Sequence, residues 1–478
     1  MKNKVLVILL VLALIKGIIW MFLTPIFQIP DESSHFSIVQ FIAETGRRPH
    51  PRREKPTSKE LIEISRIFGF NWEIVHPVWQ GYFDNWKKQV NQIPDEWRNS
   101  FITNQYQTSL KRPPLYYWLA TPFYLLFKQQ PFFFRFFSVR FLSVLISLVI
   151  GYFSFLIAKL IFKRRELALA VASLVIFQPM FSFMSSGAHY DSLTVLLATI
   201  FLYLSAKYIK SANKKYLILS FVISLLGLFV KPDLIVLLLI YPFLLPKKKL
   251  RVIIPLGLVI IILLTVLPKF LNTIIIRNTN NSNAFSDKLI YLINLNEYSS
   301  NISNLVRNLF SGQIFRQFVG YFRTTWQMHL AQVFPWYWGV FGWLEIVMPA
   351  IVYKIIKIVI SISLIGWLRF LYQEIKKPSL SRSAINVIRI LFLSAIFHLG
   401  LVIFNDFIEF TVSGINFGIQ GRYLLPFISV HMILLVMGLS QLIAKKHYQK
   451  LAGLLIIGSI ALNLIGLSSL YQYFGWVW

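Results

Sequence analysis

Long apolar segments recur along the whole chain, and most have the length that a helix needs to cross a lipid bilayer. A membrane-spanning helix takes about 20 mostly apolar residues. A shorter apolar stretch, 114–127, is expected to lie at the membrane interface. The predicted fold is an all-α polytopic membrane protein that forms one domain over residues 1–478. It has about eleven spans, at 5–25, 137–161, 167–184, 190–209, 216–230, 233–246, 252–268, 346–367, 384–404, 423–442 and 451–472.

The composition agrees with a membrane protein and excludes several other classes. Only 14% of the residues are charged and 56% are hydrophobic, whereas an average soluble protein is about 25% charged. A soluble multidomain enzyme is therefore excluded, because too few polar residues are present to cover its surface. The chain has no cysteine, which excludes disulfides, thiolate nucleophiles and cysteine-ligated zinc or iron–sulfur centres.

Positive charge is concentrated in alternate short loops, which predicts the orientation of the chain. Cytoplasmic loops are enriched in Lys and Arg, whereas loops 185–189 and 405–421 contain neither residue. We expect a cell (plasma) membrane protein with a cytoplasmic N-terminus and long extracytoplasmic loops at 27–136 and 269–345. The net charge of +29 then reflects topology and anionic lipid headgroups, not a nucleic-acid partner. The basic clusters lie near 2–4, 163–165, 210–215, 247–251, 369–377 and 445–446.

The first apolar run is expected to be a retained helix. It extends from Val5 to Leu23, which is longer than a usual signal-peptide core, and no small-residue cleavage site follows it. Lys16 lies inside this run, where it either reaches toward the membrane surface or faces other helices.

Two carboxylates follow the first predicted helix almost immediately. Asp31 and Glu32 lie in Pro-Asp-Glu-Ser-Ser-His-Phe (30–36), and in a helix over 31–43 Asp31 and His35 would share a face. A carboxylate pair beside a histidine at the membrane surface suits general base catalysis or a divalent cation. Asp31, Glu32 and His35 are therefore the candidate catalytic residues. The alternative for Asp31 is an ordinary cap at the helix N-terminus.

A basic and aromatic stretch closes the first long loop. Lys-Arg-Pro-Pro-Leu-Tyr-Tyr-Trp (111–118) combines two cations, a double proline and an aromatic cluster. Arg112 can bind the phosphate of a lipid as a bidentate donor. The alternative is an interfacial anchor, since Tyr and Trp are enriched at the headgroup level.

Further polar groups return to the same predicted side of the membrane. Asp191 and Lys231 lie in connections between spans, where an ionisable residue is costly and tends to be functional. Their alternative is pairing with each other or with helix ends. Gln420, Arg422 and Tyr423 gather hydrogen-bonding groups at the entrance of the tenth predicted span. All five residues are candidates for binding the lipid phosphate or the sugar of a substrate.

The second long loop is expected to form helices that pack over the first. Arg323 and His329 are candidate polar contacts there, with an ordinary surface role as the alternative. The sequence contains no Gly-rich nucleotide loop, no His-Glu-x-x-His and no Gly-x-Ser-x-Gly motif. Energy from cytoplasmic ATP is therefore not expected.

Three motifs resemble a known family of membrane proteins. The stretch 30–36, Gly-Val-Phe-Gly-Trp-Leu-Glu (339–345) and Gln-Gly-Arg-Tyr-Leu-Leu-Pro (420–426) are similar to those of the DUF2142 family. That family belongs to the wider GT-C superfamily of polytopic glycosyltransferases. The resemblance implies a bundle of transmembrane helices with two extracytoplasmic loops over a cavity, and a sugar on a polyprenyl phosphate as donor. It also implies that Asp31 is the acidic residue of the first loop, placed at the acceptor or at a metal.

The expected function is therefore transfer of a sugar from a polyprenyl-phosphate carrier to a cell-envelope glycan, lipid or protein on the outer side. Arg112, Lys231 or Arg422 would hold the phosphate, and Asp31 or Glu32 would act as base. A divalent cation is possible, although the ligand count gives it no support. A transporter or flippase of lipid-linked saccharides is the main alternative, and an inactive assembly partner is another.

Overall fold

The computed structural model describes residues 4–49, 56–69, 86–102, 112–245, 313–378, 380–413 and 418–475. Helices account for most of these residues, and the strands form two short antiparallel pairs. The predicted span 252–268, the second loop up to residue 312 and the side chain of His329 lie outside the described part.

Up to residue 245 the helices and strands divide into long apolar helices and the elements of the first loop. They are α1 (Lys4–Leu23), α2 (Glu32–Thr45), β1 (Thr57–Ser58), α3 (Lys59–Ile67), α4 (Trp86–Asn91), β2 (Phe101–Ile102), α5 (Leu115–Leu126), α6 (Phe132–Phe162), α7 (Arg165–Ile176), α8 (Pro179–Met184), α9 (Asp191–Ser211), α10 (Lys214–Leu228), α11 (Val236–Leu239) and α12 (Tyr241–Leu244).

From residue 313 onward the described elements are five helices and a strand pair. They are α13 (Gln313–Gly339), β3 (Val340–Phe341), β4 (Ile346–Val347), α14 (Ala350–Lys376), α15 (Arg382–Ser413), α16 (Ile428–Gln441) and α17 (Tyr448–Phe474). Short 3-10 helices at Asp95–Asn99, Pro232–Ile235, Gly421–Phe427 and Lys445–His447 precede β2, α11, α16 and α17.

Seven helical segments in the described part are long and apolar enough to cross a membrane. They comprise α1, α6, α9, α14, α15, and α16 and α17 each with its preceding 3-10 helix. Each overlaps one of the predicted spans. The prediction of an all-α polytopic membrane protein is confirmed, and the count of eleven spans stays a prediction.

Three other predicted spans are shorter or interrupted in the structure. Segment 167–184 is divided into α7 and α8 just before Pro179, because proline has no backbone N–H and clashes with the preceding turn. Segment 216–230 is α10, which has 15 residues. Segment 233–246 follows Pro232 and forms α11 and α12, of four residues each.

A buried polar network holds the break between α7 and α8. The Lys16 ammonium donates to the Ile176 carbonyl (3.0 Å) and to the Ser182 hydroxyl (3.0 Å). The Asn463 amide donates to the Phe177 carbonyl (3.0 Å) and to the same hydroxyl (2.8 Å). Carbonyls released by a helix break need such partners in an apolar bundle. Of the two expectations for Lys16, the structure shows the one in which it faces other helices.

The first long loop packs onto the start of α6 through a buried ion pair. Arg135 contacts Glu60 of α3 with an N–O distance of 2.6 Å, and it also donates to the Tyr124 hydroxyl (2.8 Å). Tyr124 belongs to α5, whose opposite face exposes Trp118 and Leu126. The 12 residues of α5 are too few to span a bilayer, which agrees with the predicted interfacial helix.

The second long loop ends in a turn that contacts the start of the first, whereas the expected packing of its helices over the first loop stays a prediction. The Trp343 indole N–H, in the turn between β3 and β4, donates to the Phe27 carbonyl (3.1 Å). Phe341 packs on Trp20 and Phe183, with ring centroids 5.2 and 5.5 Å apart. These contacts fix the β3–β4 turn on the end of α1.

The connections that carry the candidate residues meet at one end of the bundle. Arg422 pairs with Asp31, and Lys231 pairs with Asp191, although each partner lies in a different connection. At the opposite end the Lys210 ammonium donates to the Leu160 carbonyl, which joins α9 to α6 beside two basic loops. In the described residues, the basic loops at 163–165 and 210–215 therefore lie at the other end of the bundle from the candidate site.

The absence of natural cysteine allows the orientation to be tested with single cysteines. Asn99 and Ser211 are both exposed and lie at opposite ends of the bundle. We expect Asn99→Cys to react with a membrane-impermeant maleimide in intact spheroplasts, and Ser211→Cys to react only after permeabilisation, because basic loops remain cytoplasmic. The reverse labelling pattern would contradict the predicted orientation.

Candidate active site

Two ion pairs bring together residues that are far apart in the sequence. An Asp31 carboxylate oxygen lies 3.2 Å from Nη2 of Arg422. A carboxylate oxygen of Asp191 lies 3.3 Å from the Lys231 ammonium. Lys231 and Arg422 both lie beside the Tyr423 ring, so four connections of the chain contribute to one site.

Asp31 adopts a backbone conformation that few residues tolerate. Its φ of 64° and ψ of 0° are left-handed, and its side chain makes no cap hydrogen bond to α2. This conformation is uncommon for residues other than Gly, Asn and Asp, and strain of this kind is concentrated at functional sites. Asp31 stands at the start of the helix but does not cap it. Its carboxylate instead reaches Arg422 and stays 34% exposed.

Glu32, next in the chain, has a completely different environment. Its side chain is fully buried and forms a bidentate pair with Arg140, with N–O distances of 2.7 and 2.6 Å. The backbone N–H groups of Phe27 and Ala188 each donate to one of the two oxygens, at 3.1 and 2.9 Å. Both oxygens therefore have two donors each, and the carboxylate has no face open to a substrate. This geometry gives Glu32 a structural role and leaves Asp31 as the candidate base.

Arg140 completes this buried pair by holding the end of α1. Its remaining N–H groups donate to the carbonyls of Met21, Thr24 and Pro25, at 2.7 to 2.9 Å. Sequence reasoning missed Arg140. An arginine inside the apolar segment 137–161 was the available signal, because charges within spans are rare and paired.

His35 forms an aromatic wall together with Tyr117, His189 and Tyr190. Its Nδ1 lies 2.8 Å from the Tyr117 hydroxyl, and its ring is 4.3 Å from His189 and 4.7 Å from Tyr190. Burial, together with His189 and nearby Arg side chains, holds the pKa of His35 well below its usual value despite the opposing effect of Asp191. The ring is therefore neutral. The side chain is only 1% exposed.

Lys231 is buried but remains charged. Burial alone would lower its pKa, but Asp191, Tyr190 and Asp233 outweigh that effect and leave the pKa above its usual value. The ammonium lies 5.3 Å from the Tyr190 ring and 5.5 Å from the Tyr423 ring, distances that favour a cation–π interaction.

Two guanidinium groups approach the same two tyrosines. The Arg112 guanidinium lies 5.8 Å from the Tyr190 ring, and that of Arg422 lies 5.5 Å from the Tyr423 ring. Arg112 is exposed, whereas Arg422 is 6% exposed. Three cations, those of Arg112, Lys231 and Arg422, thus converge on one aromatic centre formed by Tyr190 and Tyr423. The partly exposed carboxylate of Asp31 lies beside them.

Several buried polar atoms of this site have no hydrogen-bond partner within the described part of the chain. They are Nε and Nη1 of Arg422, Oε1 of Gln420 and Nε2 of His189. Most buried polar atoms in proteins are paired, and an exception needs an explanation. A polar ligand would supply the missing partners.

The sequence also offers Arg323 and His329 as candidate polar contacts of the second loop. Arg323 is exposed on α13, and the His329 side chain lies outside the described residues. The described residues contain no group of three or more His, Asp or Glu side chains that could hold a metal ion. Asp31 and Asp191 are each paired with a cation.

The aromatic wall contains residues that sequence reasoning did not select. His189, Tyr190 and Tyr117 contact His35 directly. His189 and Tyr190 immediately precede the candidate Asp191, and Tyr117 lies in the aromatic cluster after Arg112. The sequence signal for these three residues was their position next to charged candidate residues. Aromatic residues near a membrane surface did not by themselves indicate which rings face the site.

We expect Glu32→Gln to destabilise the protein by about 3–5 kcal/mol, because it leaves the Arg140 charge buried without a counter-charge. Thermal melting in detergent measures the effect. Glu63→Gln is the matched control, because its partner Arg66 is 71% exposed and exposed pairs contribute little. Equal melting temperatures for the two variants would contradict the structural role of Glu32.

Most of the chain matches one family of membrane proteins. The family model described as "Predicted membrane protein (DUF2142)" matches residues 14–431, so the chain belongs to this family. No curated protein matches the sequence.

Two solved structures are similar to this chain at low identity. The crystal structure of ArnT from Cupriavidus metallidurans bound to undecaprenyl phosphate is 13% identical, with a TM-score of 0.41 over 99% of this chain and 76% of that one. The crystal structure of the Archaeoglobus fulgidus oligosaccharyltransferase, tethered with an acceptor peptide, is 11% identical. Its TM-score is 0.49 over 98% of this chain and 55% of that one. Identities this low carry no information about activity.

Proposed function

We propose that this DUF2142 protein is a glycosyltransferase that moves a sugar from a polyprenyl-phosphate carrier to a cell-envelope acceptor at the extracytoplasmic surface of the membrane. One observation carries the proposal. Arg112, Lys231 and Arg422 converge on one aromatic centre at one end of a membrane-length bundle, beside the carboxylate of Asp31.

The three cations suit the phosphate of a lipid carrier. Charge-assisted hydrogen bonds from guanidinium to phosphate are among the stronger ones in proteins, and Arg422 has two nitrogens without a partner. Stabilising the charge that develops on a leaving phosphate is electrostatic work. No proton donor is needed, because a polyprenyl phosphate leaves as an anion.

Asp31 is the candidate base for the acceptor. In the proposed step an acceptor hydroxyl oxygen bonds to the anomeric carbon of the sugar, and its proton passes to the Asp31 carboxylate. The bond from the anomeric carbon to the phosphate oxygen breaks, and its electron pair stays on that oxygen. Attack from the side opposite the phosphate inverts the anomeric centre.

The position of the charges favours an enzyme over the alternative of a transporter or flippase. Transporters place substrate sites near the membrane midplane, at the interface of repeated halves. Here Asp31, Arg112, Lys231 and Arg422 lie in connections at one end of the bundle. An enzyme that joins a membrane-embedded donor to an aqueous acceptor needs its charges at that surface.

We expect Arg422→Gln to weaken binding of undecaprenyl phosphate by at least about tenfold, because a hydrogen bond to a charged group contributes about 1.5–3 kcal/mol. Native mass spectrometry of the purified protein with the lipid measures the binding. Arg369→Ala is the control, since Arg369 is exposed near the far end of α14. Equal binding by wild type and Arg422→Gln would remove Arg422 from the phosphate site.

Deletion of the gene should remove one sugar from the envelope glycans, lipids or proteins of the host, as detected by mass spectrometry. Wild-type protein should restore that sugar. Asp31→Asn should not, because an amide cannot take up the proton of the acceptor hydroxyl. Asparagine tolerates the left-handed backbone, so the variant should still fold. Asp95→Asn, at an exposed aspartate of the first loop, should restore it fully. Restoration by Asp31→Asn at the wild-type level would exclude Asp31 as the base.

A further inference from the structure

His189 carries a hydrogen-bond donor that has no partner. Its Nδ1 lies 3.1 Å from the backbone nitrogen of Asp191 and accepts that N–H, whereas the Asp191 carboxylate oxygen at 3.5 Å is beyond ordinary hydrogen-bond length. A neutral imidazole that accepts at one nitrogen carries its proton on the other, so the tautomer inferred from this contact has its proton on Nε2. That nitrogen is buried and unpaired.

The surroundings of His189 keep the ring neutral. Burial and the nearby charges of Arg422, Lys231 and Arg112 hold the pKa of His189 well below its usual value. The side chain is 2% exposed, and its ring stacks on Tyr190 with centroids 4.7 Å apart. The donor therefore has a fixed direction within the cluster of cations.

We propose that His189 is a specificity-determining residue whose Nε2–H donates to a hydroxyl oxygen of the sugar on the carrier. The proposal rests on the proposed function and goes beyond it by assigning the sugar-recognising group. His189 lies among the three cations that would hold the phosphate, so a sugar linked to that phosphate is within reach of the ring.

A second unpaired atom indicates that the ligand is more than a phosphate. Oε1 of Gln420 is buried without a donor, and a phosphate dianion has only acceptors to offer. The 3-10 helix Gly421–Phe427, which begins after Gln420, packs on α8 and α9, the helices on either side of His189. A sugar hydroxyl is both donor and acceptor and can satisfy either atom. A few fixed polar groups on an aromatic wall are typical of small-ligand sites.

The experiment compares the bare carrier with glycosylated carriers on three forms of the protein. Native mass spectrometry measures the affinity of undecaprenyl phosphate and of undecaprenyl phosphate bearing a single glucose, galactose or mannose. His189→Asn keeps an acceptor near the Asp191 N–H but lacks a donor at the Nε2 position. His189→Gln is the matched control, because its longer side chain places an amide N–H near that position.

We expect wild type to prefer one glycosylated carrier over the bare carrier. His189→Asn should reduce that preference about tenfold, equivalent to 1.4 kcal/mol, and should change binding of the bare carrier by less than twofold. His189→Gln should retain most of the preference. A site built to hydrogen-bond a hydroxyl discriminates against ligands that cannot form the bond.

Other outcomes would overturn the inference. Equal weakening of both carriers by His189→Asn would make His189 a phosphate ligand, and an unchanged preference would leave it with no part in recognition. If His189→Asn does not fold, the test uses the wild-type protein instead. It measures binding of a series of analogues of the preferred carrier, each of which lacks one sugar hydroxyl. Uniform binding across that series would overturn the proposal. Failure of wild type to bind the bare carrier would instead contradict the proposed function.

Discussion

The buried pair of Glu32 and Arg140 joins α1, α2, α6 and the connection before α9. Arg140 of α6 holds the carbonyls that end α1, and Glu32 holds the turn before α2 and the loop before α9. An ion pair without water is stable only when hydrogen bonds satisfy its remaining atoms, and here backbone groups do so. The position of Asp31 depends on this pair, because Asp31 immediately precedes Glu32 in a conformation with little freedom.

Beyond that fixed pair, the candidate site holds its charges in looser contacts. Arg422 reaches Asp31 through one nitrogen only, and Lys231 lies 3.3 and 3.7 Å from two different carboxylates. An anionic ligand can engage the free nitrogens of Arg422 without first breaking a bidentate pair. Around the site, the fully hydrogen-bonded Glu32–Arg140 pair thus fixes the geometry, while the Arg422–Asp31 and Lys231–Asp191 pairs leave their charged groups available to a ligand.

Much of the fold could be predicted from the sequence, because hydropathy and loop charge report on the bilayer directly. The same reasoning anticipated that Asp31 and Arg422 would lie near each other, since both flank spans at the same predicted surface. It could not separate Asp31 from Glu32, because adjacent carboxylates differ only in a backbone turn that hydropathy does not encode. It also missed Arg140 and His189, whose partners come from other connections of the chain.

The network around Lys16 has a consequence for how the protein is made. Lys16 lies on α1, yet its partners Ile176 and Ser182 follow 160 and 166 residues later. Asn463, which completes the network, lies on α17. During translation the lysine is therefore made long before the groups that accept its hydrogen bonds. We expect the network to be complete only when α17 arrives, so that α1, α8 and α17 are joined in a single late step.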